Sequence, residues 1–237
     1  MQRFLFPRWT NTLLAVLGIA AVTGGGFAAV MGGLITDPET LNVGYMPEQP
    51  VPYSHALHAG QLKIDCRYCH NTVGEAAHAA VPPTATCINC HSPANDSGQS
   101  ALAAVHHDSN KLAPIHESWR SGESVAWKRI HNLPEYVFFN HSAHVNAGVG
   151  CKTCHGRIDQ MEVVYQAKQL SMAWCITCHR NYEKELVPPE LVTQLDFDTE
   201  SAEAWKEIGF ENQEQFADQW IAEQNIHPQV HCAVCHR

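Results

Sequence analysis

Between Arg8 and Asp37 the chain carries no charged residue. The run from Trp9 to Thr36 is 28 residues long and is most apolar from Leu13 to Val22. About 20 largely apolar residues suffice to cross a bilayer as a helix, so residues 1–36 predict one N-terminal transmembrane anchor. Arg3 and Arg8 precede the run, and Asp37 and Glu39 follow it. The positive-inside rule then puts the N-terminus in the cytoplasm and residues 37–237 outside. The rival reading is a cleaved signal peptide, whose apolar core runs about 7–15 residues. Thr23-Gly24-Gly25-Gly26 weakens the apolar run and keeps that rival open. Gly24, Gly25, Gly26, Gly32 and Gly33 could equally mark close packing on other membrane helices, where small residues line the contacts. Beyond residue 37 the pattern is broken repeatedly, by Pro82-Pro83, Pro188-Pro189 and scattered glycines. It predicts short helices joined by irregular connections. Thr199 to Gln224 is more regular and reads as two short helices, with Trp205 and Ile208 on one apolar stripe and Phe216 and Trp220 on the next.

Charged residues make up 16% of the 237 positions and the formal net charge is −9. That balance argues against a nucleic-acid binder, which would show an excess of bases. Six Trp, six Tyr and eight Phe are too many for a disordered polymer. The charge is uneven. Glu183 to Glu223 holds twelve acids and two lysines, a net of −10. Such a face can steer a basic partner, or simply keep the surface solvated. Histidine is the compositional anomaly, with 16 copies against 15 Lys and Arg together.

The ten cysteines account for that anomaly in part. They form five pairs, each followed by His: Cys66-Arg67-Tyr68-Cys69-His70, Cys87-Ile88-Asn89-Cys90-His91, Cys151-Lys152-Thr153-Cys154-His155, Cys175-Ile176-Thr177-Cys178-His179 and Cys232-Ala233-Val234-Cys235-His236. C-x-x-C-H is the attachment signature of a c-type haem. Both thiols bond the porphyrin as thioethers, and the adjacent His sits under the iron as an axial ligand. A disulfide scaffold or zinc ribbons could also use paired cysteines, but neither requires His after the second one. At this histidine content five such coincidences have a chance of roughly one in a million. The sequence therefore predicts five covalently bound c-type haems (heme c). Residues 37–237 then offer about 40 residues per haem, too few for an ordinary apolar core without covalent staples. The expected fold is a multihaem cytochrome c with little regular secondary structure, in which short α-helices surround five porphyrins.

Eleven histidines lie outside the motifs. Two pairs repeat an aromatic-x-His-x-x-His pattern: Tyr53-Ser54-His55-Ala56-Leu57-His58 before the first motif, and Phe139-Asn140-His141-Ser142-Ala143-His144 before the third. From the first His to the next Cys is 11 residues in one copy and 10 in the other. This divides the chain beyond residue 37 into dihaem modules 53–91 and 139–179 plus a C-terminal haem at 232–236. Histidines three apart on a helical turn share a face and can reach two neighbouring irons. We expect His55 to serve the first haem and His141 the third, with His58 and His144 serving others, such as the second and fourth. His131 is the expected ligand for the fifth, with His227, His231, His116 and Met172 as rivals. His78 and the His106-His107 doublet read as surface or haem-edge residues. Arg67, Lys152, Arg157, Arg180 and Arg237 lie near the motifs, where they could pair with haem propionates or remain exposed. The two apolar stripes of 199–224 are expected to cover a haem edge rather than to bind a partner.

The His-x-x-His and C-x-x-C-H layout resembles class III multihaem cytochromes c. The strings HALHAGQLKIDCRYCHNTV, PPTATCINCH, WKRIHNLPEYVFFNHSAHVNAGVGCKTCHGRIDQMEVVYQ and LSMAWCITCHRN are similar to the pentahaem (ActA-type) subunit of bacterial alternative complex III. The resemblance covers about residues 50–182 and the final motif, and does not extend to 183–230. It implies a single-pass subunit in the bacterial inner (cytoplasmic) membrane with its haem domain on the periplasmic side. It implies as partners an iron–sulfur subunit related to molybdopterin enzymes, integral membrane quinol-binding subunits, a monohaem cytochrome c and a terminal oxidase. The family's bis-histidine pattern carries over to His55, His58, His131, His141 and His144. The function so implied is electron transfer within a quinol-oxidising membrane complex. The alternatives are a multihaem reductase of nitrogen or sulfur oxyanions, a stand-alone NrfH/NapC-like membrane quinol dehydrogenase, and a soluble periplasmic shuttle. Five uniform motifs and enough histidines to saturate every iron favour a relay over a catalyst. No phosphate loop, catalytic triad or nucleotide-binding glycine pattern is present in the sequence.

Overall fold

A computed structural model describes residues 6–7, 9–36, 42–95, 97–99 and 104–237. Arg3, Arg8, Asp37 and Glu39, whose charges set the expected orientation in a membrane, lie outside the described residues. The chain divides into two units, Met1–Val43 and Gly44–Arg237.

The first unit contains α1 (Trp9–Thr36), an uninterrupted helix of 28 residues. At 1.5 Å per residue it is about 42 Å long, enough for a hydrocarbon layer of about 30 Å. It is long and apolar enough to cross a membrane, and none of its apolar window is buried by protein. The glycine run at 24–26 does not break it. The Thr23 hydroxyl is satisfied internally by donating to the Ile19 carbonyl at 2.8 Å, so the helix exposes no polar demand at that point.

The second unit is built from short helices. They are α2 (Cys66–Cys69), α3 (Thr84–His91), α4 (Ala113–Ser121), α5 (His141–Asn146), α6 (Cys151–His155), α7 (Met172–Arg180), α8 (Ala202–Glu207), α9 (Gln213–Gln224) and α10 (Cys232–Cys235). Among the described residues there is no β-strand, only an isolated antiparallel bridge between Val149 and Leu186. Local capping explains the many starts. Asp65, Asn140, Ser171, Ser201 and Asn212 each accept a backbone N–H of the helix that follows, which satisfies an otherwise orphaned donor.

The main apolar cluster lies in the acidic C-terminal segment. Leu186, Val187, Val192, Trp205 and Phe216 are buried together, with Val145, Val149, Leu191, Phe197, Phe210 and Trp220 packed on them. Trp205 is 1% exposed, and its indole N–H donates to the Thr199 carbonyl at 2.9 Å. The expected pair of helices is present as α8 and α9, but their stripes meet each other: Trp205 and Phe216 stack at 5.5 Å. They form a protein core rather than a haem cover, while Ile208 stays partly exposed. This core is joined to the segment before the third motif. Val187 N–H donates to Gly148 O at 2.8 Å and Cys151 N–H to Val192 O at 3.0 Å. Gly148 has φ +92°, and a Cβ there would meet the Val187 carbonyl at 2.6 Å, so only glycine allows this approach.

Candidate functional site

Each of the five cysteine pairs lies on a short helix: α2, α3, α6, α7 and α10. Residues i, i+3 and i+4 of one helix share a face, so both sulfurs and the following imidazole leave the backbone together. All ten cysteines are free, which leaves the disulfide-scaffold reading without support. Among the described residues no three His, Cys, Asp or Glu side chains converge to hold a metal ion. Burial pushes the Cys151 and Cys154 thiols up to about 12 and raises Cys66, Cys69, Cys87, Cys175 and Cys178 as well.

Histidines that are apart in sequence are brought close together. The ring centres of His58 and His91 are 6.1 Å apart, those of His144 and His179 6.1 Å, and those of His141 and His155 6.3 Å, the last pair within 11° of parallel. Two imidazoles bound through Nε2 on opposite sides of one metal, at about 2 Å per bond, have ring centres roughly 6 Å apart. The spacing therefore fits an iron between the rings of each pair. Burial lowers His55 to about 4, and the nearby His70 adds to that lowering.

The other ring nitrogen gives independent support. Metal-bound histidines almost always donate their remote N–H to a fixed acceptor. Here Nδ1 of His70 faces Ala80 O at 2.7 Å, His91 faces Val105 O at 2.7 Å, His179 faces Gln229 O at 2.9 Å and His236 faces Tyr136 O at 3.2 Å. In the two repeats His58 faces Ser54 O and His144 faces Asn140 O, both at 2.8 Å, while His141 faces Ala77 O at 2.9 Å. A carbonyl can only accept, so each Nδ1 carries the proton and each Nε2 keeps its lone pair for a metal. The residues present fit a c-type haem.

The two repeats are alike in detail. Tyr53 stacks on His58 at 4.4 Å and stands edge-on to His55 at 4.8 Å. Phe139 stacks on His144 at 4.6 Å and stands edge-on to His141 at 4.8 Å. The aromatic residue of the repeat thus orients both imidazoles. The extra residue in the first copy is absorbed by a π-helical turn, Ala56–Gln61, where the second copy has the α-helix α5. A π-turn is an α-turn with one residue inserted. Their acceptors differ too: Nδ1 of His55 is buried with no hydrogen-bond partner.

Other histidines are placed differently from one another. His131 lies against His155, with ring centres 4.4 Å apart and its Nε2 3.4 Å from His155 Nδ1. His116 is buried in α4, and its Nε2 donates to the backbone carbonyl of His91 at 2.9 Å. His227 Nε2 faces Asn225 Oδ1 at 3.1 Å, and Met172 is exposed at the start of α7. Of the nearby cations, Arg67 donates to Pro189 O and Lys152 to Phe197 O. Arg157 makes a two-point pair with Asp159 at 2.8 and 2.6 Å, and Arg237 covers the Phe138 ring. Arg67 and Arg237 stay exposed while making these contacts, Arg180 is exposed as well, and the Arg157 side chain is 41% exposed. The carbonyl acceptors and the bracing role of His116 were not legible in the sequence, because the backbone at positions 77, 80, 105, 136 and 229 carries no residue-type signal. A buried His on a helix beside Ile115 and Ser118 was the one available hint for His116.

Comparison with known proteins agrees with this chemistry. Residues 34–123, which include the first two motifs, match the Class III cytochrome C family. The multihaem cytochrome c subunit of menaquinone reductase from Nitratidesulfovibrio vulgaris is 32% identical over 108 residues. That stretch covers 46% of this chain and 46% of the relative, so the chain matches a little under half of the relative's length.

Proposed function

We propose that this chain is a membrane-anchored electron-transfer subunit carrying five covalent c-type haems. It would work inside a quinol-oxidising complex of the alternative complex III type, at the bacterial inner membrane, with the haem domain on the periplasmic side. The observation that carries the reading is the set of three His–His pairs at 6.1–6.3 Å, each ring turned by a hydrogen bond at Nδ1. Haem, when bound, supplies one-electron chemistry at its iron. The chain's residues do the rest. Cys66 and Cys69, Cys87 and Cys90, Cys151 and Cys154, Cys175 and Cys178, and Cys232 and Cys235 fix the porphyrins. His70, His91, His155, His179 and His236 would each hold one iron, His55, His58, His141 and His144 would supply the second ligand at four of them, and His227, His231 or Met172 would supply it for the C-terminal haem. Irons held in this way would have no coordination site for a substrate, so the protein would relay electrons and leave quinol chemistry to partner subunits. These would be the integral membrane quinol-binding subunits, an iron–sulfur/molybdopterin-like subunit, a monohaem cytochrome c and a terminal oxidase.

A second reading has support from the similar relative, which is named as a subunit of a menaquinone reductase. There electrons would run toward the quinone instead of away from it. Purification from detergent-solubilised membranes tests both. Five irons per chain, porphyrin that resists acid–acetone extraction, no carbon monoxide binding to the reduced protein and co-purifying membrane subunits are expected. Fewer than five irons or extractable porphyrin would overturn the haem reading. Stoichiometric carbon monoxide binding would overturn the relay and favour a reductase. Whether the isolated complex oxidises quinol or reduces quinone decides between the two directions.

A further inference from the structure

Seven of the histidines assigned above give their Nδ1–H to a backbone carbonyl: His58, His70, His91, His141, His144, His179 and His236. His155 differs. Its Nδ1 faces a side chain, Nε2 of His131, at 3.4 Å, with the two rings at 78° to each other. We propose that His131 is a positioning residue of the third haem site, accepting the Nδ1–H of His155, and not the sixth ligand of the fifth haem. The inference rests on the reading that Cys151 and Cys154 hold a haem.

The geometry makes two demands on this contact. Pointing Nδ1–H at His131 leaves Nε2 of His155 with a free lone pair, and the His141 ring lies parallel to His155 at 6.3 Å. A lone pair aimed at that hydrogen is also withdrawn from any metal, so the Nε2 that could ligate a distant iron is engaged at the third site. The electronic consequence follows from the outer-shell rule. A hydrogen bond from the remote N–H raises the basicity of the ligating nitrogen and favours the more positive, oxidised iron. His131 therefore lowers the potential of the third haem. A carbonyl acceptor belongs to the backbone, whereas this acceptor belongs to a replaceable side chain, so the effect can be removed without moving the main chain.

The test uses the full haem-loaded chain with His131→Ala and His131→Gln, titrated at pH 8 by optical and electron-paramagnetic-resonance spectroscopy. In His131→Ala the haem count should stay at five with no carbon monoxide binding. One couple should shift upward by about 59 mV for one electron, a tenfold fall in its oxidised-to-reduced ratio at a given potential. His131→Gln, which restores an acceptor, should recover most of the shift. If His131→Ala assembles poorly, His131→Phe fills the ring's place without a lone pair and carries the same expectation. Couples that do not move would overturn the proposal. So would a new high-spin haem that binds carbon monoxide, because it would make His131 an axial ligand. Wild-type protein without covalent haem on the Cys151–Cys154 peptide would overturn both this inference and the reading beneath it, whereas the first two results leave that reading standing.

Discussion

The acidic segment 182–226 and the motif-bearing stretch 53–180 solve the same problem in different ways. The acidic segment buries its own large side chains. Trp205, Leu186 and Val192 are each 1% exposed, and four aromatic rings, Phe197, Trp205, Phe210 and Phe216, pack edge and face around one another. The motif-bearing stretch has few such residues. Leu57, Leu62, Tyr68, Val81, Val105 and Met172 are exposed, and order comes instead from paired imidazoles and hydrogen bonds to carbonyls. A segment with a core of its own can carry a net charge of −10 and stay folded, here with Val145, Val149 and Cys151 of the motif stretch packed against that core. The motif stretch depends on covalent staples, as small units without a sufficient core generally do.

Removing a staple should therefore have the largest effect. Replacing Cys151 and Cys154 together by Ser should reduce the haem count from five to four and make the 139–180 module sensitive to protease, read by iron content and limited proteolysis. An unchanged count would remove the third motif from the set. Next comes Trp205→Ala, which should cost about 3–5 kcal/mol as a large-to-small core change. It should lower the denaturation midpoint while leaving the haem spectrum as in wild type; a spectral change would mean that the two regions are not separate. Phe139→Leu should cost about 0.5–1.5 kcal/mol through lost ring stacking, and should alter the spectroscopic signature of the haems that His141 and His144 are proposed to hold. Smallest is Asp196→Asn. Lys63 donates to Asp196 at 2.9 Å across the two regions, and this hydrogen bond holds the Asp196 carboxyl below its ordinary value. Both side chains are more than half exposed, so the loss should stay below about 1 kcal/mol. Because the folded carboxyl has the lower pKa, that stabilisation is present above the ordinary aspartate value of about 3.9 and disappears as the pH falls through the folded value. The wild-type minus mutant difference in thermal midpoint should thus shrink toward zero in acid and in high salt.

How much of this was legible in the chain depended on whether the chemistry was local. The C-x-x-C-H pairs need only one helical turn, and the aromatic-x-His-x-x-His repeat needs only two, so residue types and spacing were sufficient to find them. The two helices of 199–224 were also visible from their periodicity. The partner of their apolar stripes was not, because periodicity marks a buried face without saying what buries it. The one-residue difference between repeats could be counted, but only the backbone showed it resolved as a π-turn at Ala56–Gln61. His131 illustrates the limit. Its position just before the second module suggested a ligand, and the fold sets it against His155.

The sequence by itself determined the helix of residues 9–36, the five C-x-x-C-H motifs and the twofold repeat of histidines, since each is written in neighbouring residues and held by helical geometry. The tertiary structure decided which imidazoles face each other and which carbonyl turns each ring. Those contacts join residues up to 100 positions apart, His236 with Tyr136 being the longest. Backbone acceptors of that kind carry no side-chain signature, so only the folded chain brings them into view.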